Sequence, residues 1–443
     1  MTVTLRHETA VPIDLVSALV YLVCGVATGL LTRRRPAFGV AALLVLAPFD
    51  LTRYIGPTTI TTLKAALAGM IVALLAGRTD LSALRTFPVR AMLVAFGATL
   101  AAIVLSALGA EHGGEVVREA FKNGEYLVLF LVAAIAYATD PDDRPFWRAV
   151  EIAVVLVAFS ALAEYLVGAH NGIFLGAHHS FPRIAGALEG PNQLAGYLDV
   201  AIPVLVARAL VHRDRVLGAV IGLAALVDLL TLSRAGVVAA VLGVGAVFVV
   251  LRPPGKLALR FAAGVLAVGL AAVALALRVG VPAGYFSLDQ SPQVADHLAN
   301  RAQLWHAALA LWHRSPIVGN GAGNYELDLA EVGLNGVRTH ANSLYLQSLA
   351  EGGVVGLLAT VASFAVTIVL LARSGVRRPL VVGALGATVA LAAHQIADDL
   401  FFFPKVASAY WLVVGVAIAE IAARRLFEQR RAEANAPVGA ASW

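Results

Sequence analysis

The chain reads as an all-α, polytopic integral membrane protein with about 12 or 13 transmembrane helices and one large periplasmic loop containing interfacial helices. Three observations predict it. Of the 443 residues, 59% are hydrophobic, well beyond the proportion a soluble domain carries. The apolar residues fall in runs of roughly 15–22 residues along almost the whole chain, long enough or nearly so for about 30 Å of hydrocarbon. The connections between those runs also alternate in charge: Lys and Arg cluster on every second one.

In chain order, the expected spans are 11–31, 36–49, 58–76, 91–108, 121–138, 146–167, 191–211, 216–230, 235–251, 261–277, 343–372, 380–396 and 406–423. Basic clusters follow the first span (Arg33, Arg34, Arg35), the third (Arg78, Arg85, Arg90), the fifth (Arg144, Arg148) and the seventh (Arg213, Arg215). They recur after the ninth (Arg252, Lys256, Arg260), the eleventh (Arg373, Arg377, Arg378) and in the tail (Arg424, Arg425, Arg430, Arg431). The positive-inside bias places these connections, and the C-terminus, in the cytoplasm. The first span is followed directly by a basic stop, so no cleaved signal peptide is expected.

The alternate connections then face the periplasm. Most are short, but 168–190 and 281–342 are long. The second predicts a helix whose apolar stripe, Leu298, Ala302, Trp305, Leu309 and Trp312, suits a helix lying along the membrane interface. This divides the chain into N-terminal transmembrane helices (1–280), a periplasmic catalytic loop (281–342), and C-terminal helices with a cytoplasmic tail (343–443), acting as one unit.

Composition also excludes classes of function. The net charge of +5 is accounted for by cytoplasmic loops, so no nucleic-acid partner is expected. The single cysteine, Cys24, rules out an intrachain disulfide and a cysteine zinc site. No glycine-rich nucleotide loop occurs, and the outward histidines lack metal-ligand spacing. Neither a metal nor another cofactor is expected.

Arginine holds a diphosphate well, because its planar fork stays charged and pairs bidentately with phosphate oxygens. The charge rule leaves few arginines outside, yet Arg183, Arg234, Arg301 and Arg338 stand there; a headgroup contact is the plainer reading of any one of them. His340, at the point where the long loop re-enters the membrane, has the chemistry of a general base for a sugar hydroxyl. Intramembrane charges, Lys64, Asp199, Asp228 and the His394/Asp398/Asp399 group, read as structural ties or as a proton path. Asp228 is placed to pair with an arginine of another helix.

Four strings carry a resemblance: Arg183 through Gly190-Pro191-Asn192 to Ala195; Thr231-Leu232-Ser233-Arg234-Ala235-Gly236; Arg301 to Trp305, running on from Ser315 to Asn324; and His340 through Tyr345 and Gln347 to Glu351, Gly353 and Gly356. In this order and spacing the chain resembles the O-antigen ligase and Wzy-type polymerase superfamily of bacterial envelope glycosyltransferases. The resemblance implies metal-independent transfer of a glycan from undecaprenyl diphosphate. By that likeness His340 would be catalytic, with Arg183, Arg234 and Arg301 on the carrier diphosphate; Arg338, Asn192 and Asn324 complete the candidate substrate-binding set. Relatives often read His-x-His-Asn before the Tyr-Leu-Gln, whereas here the second histidine position holds Asn342. The leading acceptor is lipid A-core, as in an O-antigen ligase. A polymerase and a protein O-oligosaccharyltransferase share the donor, and a lipid-linked glycan transporter is the reading from another class.

Overall fold

The computed structural model describes residues 13–55, 58–167, 172–176, 179–212, 214–259 and 301–434, with four positions between 263 and 270. The expected span 261–277, Leu298 and the end of the tail fall wholly or mostly outside the described residues. Every other expected span stands as a helix: α1 (Leu15–Arg34), α2 (Pro36–Leu46), α3 (Thr62–Ala76), α4 (Phe87–Ser106), α5 (Gly113–Thr139), α6 (Arg144–Val167), α7 (Pro191–His212), α8 (Arg215–Leu230) and α9 (Arg234–Leu251). After α10 (Arg301–Arg314) and the single turn α11 (Tyr325–Asp328) come α12 (Leu344–Ala372), α13 (Pro379–His394) and α14 (Pro404–Ala434). Among the described residues eight helices are long and apolar enough to cross a membrane, and four shorter apolar helices accompany them.

The helices pack inside out relative to a soluble bundle. On α1 the buried residues are Ser17, Tyr21, Thr28 and Thr32, while Leu15, Leu19, Leu22, Val26 and Leu30 are exposed. That is the pattern of a helix whose apolar side meets lipid and whose small and polar side meets its neighbours. The centre is α14, of whose most apolar window 94% is buried. Its Trp411 meets Phe96 of α4 at a centroid separation of 4.5 Å, and Phe96 meets Phe130 of α5 at 5.6 Å. Where α9 crosses α13, a side-chain carbon on Gly386 would lie 2.7 Å from the Gly243 carbonyl oxygen, so small residues set that approach.

Three features go beyond the sequence reading. Two short antiparallel hairpins interrupt the all-α pattern: β1 (Thr52–Ile55) with β2 (Thr58–Thr61), and β3 (Gly172–Gly176) with β4 (His179–Arg183). The first is rich in β-branched residues, which favour strands. Helix α5 begins at Gly113, eight residues before the expected span, because its first turns are charged yet satisfied: Arg118 pairs with Glu115 at 2.6 Å and Lys122 with Glu119 at 2.6 Å. On α10 the face turned toward the protein is Leu304, Ala307, Ala308 and Leu311, all buried, while Leu309 on the expected stripe is exposed. These buried residues share a small core with Tyr325, Leu329 and Ala341 of the loop and Ala350 of α12, while Trp305 and Trp312 are half-buried.

At one end of the bundle the basic connections are tied by acids. Arg35 pairs with Asp140 at 2.7 Å and Asp142 at 3.0 Å, Arg208 with Glu151 at 2.7 Å, and Arg378 with Glu420 at 3.2 Å. The opposite end gathers the start of α7, the α8–α9 turn, the polar loop, the start of α12 and the turn between α13 and α14.

Candidate functional site

The site is built on a break in α12. Gly353 takes φ 60° and ψ −159°, which interrupts the helical ladder and frees backbone groups on both sides. Residues of the loop satisfy them: Val354 N donates to Pro316 O at 2.9 Å and Val355 N to Ile317 O at 3.2 Å, while Asn320 N donates to Ala350 O at 3.1 Å and Gly321 N to Glu351 O at 2.9 Å. A side-chain carbon on Gly353 would lie 2.3 Å from Ile317 O, so only glycine allows both the left-handed backbone and the contact.

This stitching carries His340 into place. The Glu351 carboxylate accepts from Tyr325 N at 3.2 Å and from Gln347 Nε2 at 2.8 Å, and Gln347 Oε1 accepts from Ala341 N at 2.7 Å. Ser343 caps α12 by accepting from Leu346 N. Leu344 N donates to the carbonyls of Gln395 and Asp398, both at 3.0 Å. The segment 340–343 is thus clamped between the loop and the α13–α14 turn.

That turn presents Asp398, whose side chain is 1% exposed. One of its oxygens accepts from Asn192 Nδ2 and lies 3.8 Å from Arg301 Nη2. The other lies 3.8 Å from His340 Nδ1 and accepts from Asp399 N at 2.8 Å. Arg183, the last residue of β4, donates to Asn192 Oδ1 at 2.8 Å and to Thr231 O at 2.8 Å. The Thr231–Ser233 turn that offers this carbonyl bends through Leu232 at φ 54°, and Ser233 then caps α9 by accepting from Gly236 N at 3.3 Å. The next residue, Arg234, is exposed.

Three segments distant in sequence therefore meet the Asp398 carboxylate, and Arg183 and the Thr231–Ser233 turn join them through Asn192. Arg183, Asn192, Arg301 and His340 are brought together, with Arg234 at the head of the neighbouring helix. Two other candidate residues serve the loop. Arg338 donates to Glu326 O at 2.8 Å. Asn324, fully buried, accepts from His112 N at 2.9 Å and donates to Ala322 O at 3.3 Å, tying the loop to the α4–α5 connection.

The imidazole of His340 is held on two sides. Asn342, at φ 49°, turns its backbone N–H to donate to Nδ1 at 3.2 Å, and the Phe402 ring lies 5.0 Å from the imidazole centroid to centroid. Phe402 also lines a cavity of about 140 Å³ between α4, α5 and α12. Asp399, at its edge, is pushed above the usual carboxylate range by burial, against the pull of His340 and Lys122.

Asp398 is the residue that the sequence reading did not assign to the site; it was grouped with the intramembrane charges. Its signal was its place, an acid on an outward connection directly after a span. The expected pairing of Asp228 with an arginine is corrected. Asp228 is buried and forms no ion pair with an arginine among the described residues, while its neighbour Asp199 engages His394 Nδ1 at 2.6 Å. His394 is the basic side chain of this buried group, and it is bonded to Asp199 and not to Asp228.

Residues 217–361 match a family model described as O-antigen ligase (Wzy_C), and no curated protein matches the chain significantly. The matched segment contains Arg234, Arg301, Asn324, Arg338 and His340, together with the α12 break that positions the last of them. The chain is thus similar to the O-antigen ligase family over residues 217–361, within a helical protein in which eight of the described helices are long and apolar enough to cross a membrane.

Proposed function

We propose that the protein is an O-antigen ligase proper, transferring a glycan from undecaprenyl diphosphate to lipid A-core at the periplasmic face of the inner membrane, with the C-terminus cytoplasmic. The observation that carries this reading is the convergence of Asn192, Arg301 and His340 on Asp398, with Arg183 bonded to Asn192. Arg301 is 45% exposed at its side chain and Arg234 is exposed, so both have guanidinium surface to offer an incoming diphosphate, with Arg183 fixed behind them.

Chemically, the acceptor hydroxyl attacks the anomeric carbon, the carbon–oxygen bond to the diphosphate breaks, and the diphosphate leaves with the bonding electrons. That leaving group is already good, so the enzyme's tasks are to stabilise its charge and to remove the hydroxyl proton. The arginines serve the first and His340 the second. For Nε2 to accept a proton, Nδ1 must carry one, and Asp398 is the carboxylate placed to hold it there. The 3.8 Å separation closes by a small ring rotation, as base contacts commonly tighten when substrate binds.

The reading is tested with the purified full chain in lipid nanodiscs, supplied with undecaprenyl-diphosphate-linked O-antigen and lipid A-core. Formation of a ligated lipopolysaccharide, lost in His340→Ala with carrier binding retained, is the expected result. Extension of the glycan on the carrier without use of lipid A-core would overturn the ligase reading in favour of a polymerase.

A further inference from the structure

The cavity beside His340 has a chemistry opposite to that of the arginine cluster. Its polar wall is made by Glu119, Lys122, Asn123, Glu326, Gln347 and Asp399, and the one lysine is already paired with Glu119 at 2.6 Å. Its floor is aromatic, with Tyr126, Phe364, Phe401 and Trp411 among the lining residues. A diphosphate gains nothing in such a place, because carboxylates repel it and no unpaired cation faces it. A polyhydroxylated ring suits it, since carboxylates and amides accept and donate hydrogen bonds to hydroxyls while aromatic faces pack on the apolar side of a sugar.

A second observation points to a ligand. Glu326 is 5% exposed, and its Oε1 has no hydrogen-bond partner among the described residues although the side chain lines the cavity. A buried carboxylate oxygen left without a donor is costly, and a turn of this side chain toward the cavity would let a bound hydroxyl supply one. A shared cation is not the better occupant, because no three acidic or histidine groups among the described residues converge as a metal site requires.

Position completes the argument. His340 stands between the two chemistries: Asp398 with its arginine on one side, and Phe402, a wall of the cavity, on the other. We infer that this cavity is the acceptor subsite, seating the hydroxyl-rich sugar that attacks, and that the division of acidic from basic walls keeps donor and acceptor from exchanging places. This rests on the proposed transfer reaction and adds to it where the second substrate binds.

The test is equilibrium binding to the full chain in nanodiscs, with two probes that need no turnover: delipidated core oligosaccharide and undecaprenyl diphosphate. Glu326→Gln and Asn123→Ala are expected to weaken the oligosaccharide at least tenfold and to change undecaprenyl diphosphate affinity less than twofold. Glu326→Gln keeps the side-chain shape, and its unchanged carrier affinity certifies the fold. The reverse pattern, with carrier binding lost and oligosaccharide binding kept, overturns the inference by making the cavity part of the donor site. Failure of the wild type to bind oligosaccharide at millimolar concentration, or binding that neither variant changes, overturns it as well. Oligosaccharide binding that falls as expected, in a protein that transfers no glycan, upholds the subsite and counts against the proposed reaction alone.

Discussion

His340 Nδ1 lies 3.8 Å from Asp398 Oδ1, across a gap into which the Asn342 N–H also points. Two groups therefore compete for one ring nitrogen, and the competition decides which nitrogen carries the proton. The amide favours hydrogen on Nε2, and the carboxylate favours it on Nδ1. Asp398→Asn is expected to leave the protein folded and to reduce turnover by roughly a hundredfold, in the range of losing general-base assistance. Single-turnover transfer measured against pH checks it, and unchanged turnover would remove the carboxylate from the mechanism.

The contribution of Asn342 is made by its backbone. Its carbonyl also accepts from Trp305 Nε1 at 3.4 Å, and its φ of 49° is one that glycine adopts freely and asparagine tolerates. His340→Ala should abolish transfer with the carrier still bound, whereas Asn342→Gly should keep most of the activity. In a ligation assay, an essential Asn342 with a dispensable His340 would sink the assignment of the base.

Arg301 reaches Asp398 only at 3.8 Å, so its fork is free to turn toward a phosphate. A charge-assisted hydrogen bond is typically worth about 1.5–3 kcal/mol. Arg301→Ala is therefore expected to lower kcat/KM by roughly tenfold to a hundredfold, with only partial rescue in Arg301→Lys, which offers a point charge in place of a fork. Steady-state kinetics on folded protein decides it, and full activity in the alanine variant removes Arg301 from the diphosphate grip.

Asp328, in the loop turn α11, is pushed up from 3.8 to about 7, first by burial and then by Glu331 and Glu111. A carboxyl whose pKa is raised on folding binds more protons when folded, so it costs stability as pH rises from about 4 to 7 and no further above that. Thermal unfolding of the full chain should thus show a Tm that declines over this window, and Asp328→Asn should flatten the decline. A wild-type Tm that rises over the same range contradicts the placement of this side chain.

The sequence made the spans legible because lipid imposes a long apolar run, and it divided the connections into two sets because charge bias is a local property. His340, Arg183, Arg234 and Arg301 were singled out by motif spacing, and their roles belong to the proposed reaction. What it could not reveal was convergence: nothing in the string links Asp398 to Asn192 or separates Arg301, which reaches Asp398, from Arg338, which is spent on Glu326 O. The covered face of α10 was hidden for a related reason. Two apolar stripes run along that helix, and only the fold of the loop, with Tyr325 donating to Leu304 O at 2.7 Å, selects which one is covered. The charged first turns of α5 escaped because hydropathy reports burial in lipid and not helicity.

The break at Gly353 makes the polar loop and a span into one mechanical part. Since the carbonyls and amides on either side of the break are bonded to residues 316–321, α12 cannot tilt without carrying the loop, and with it Gln347 and the segment that holds His340. Helices tilt to match the thickness of the bilayer around them. The position of His340, the proposed base, is thereby geared to the lipid, and turnover measured in nanodiscs of short-chain and long-chain lipids should pass through an optimum. Gly353→Ala, which uncouples the lever, should cost several degrees in Tm together with most of the activity.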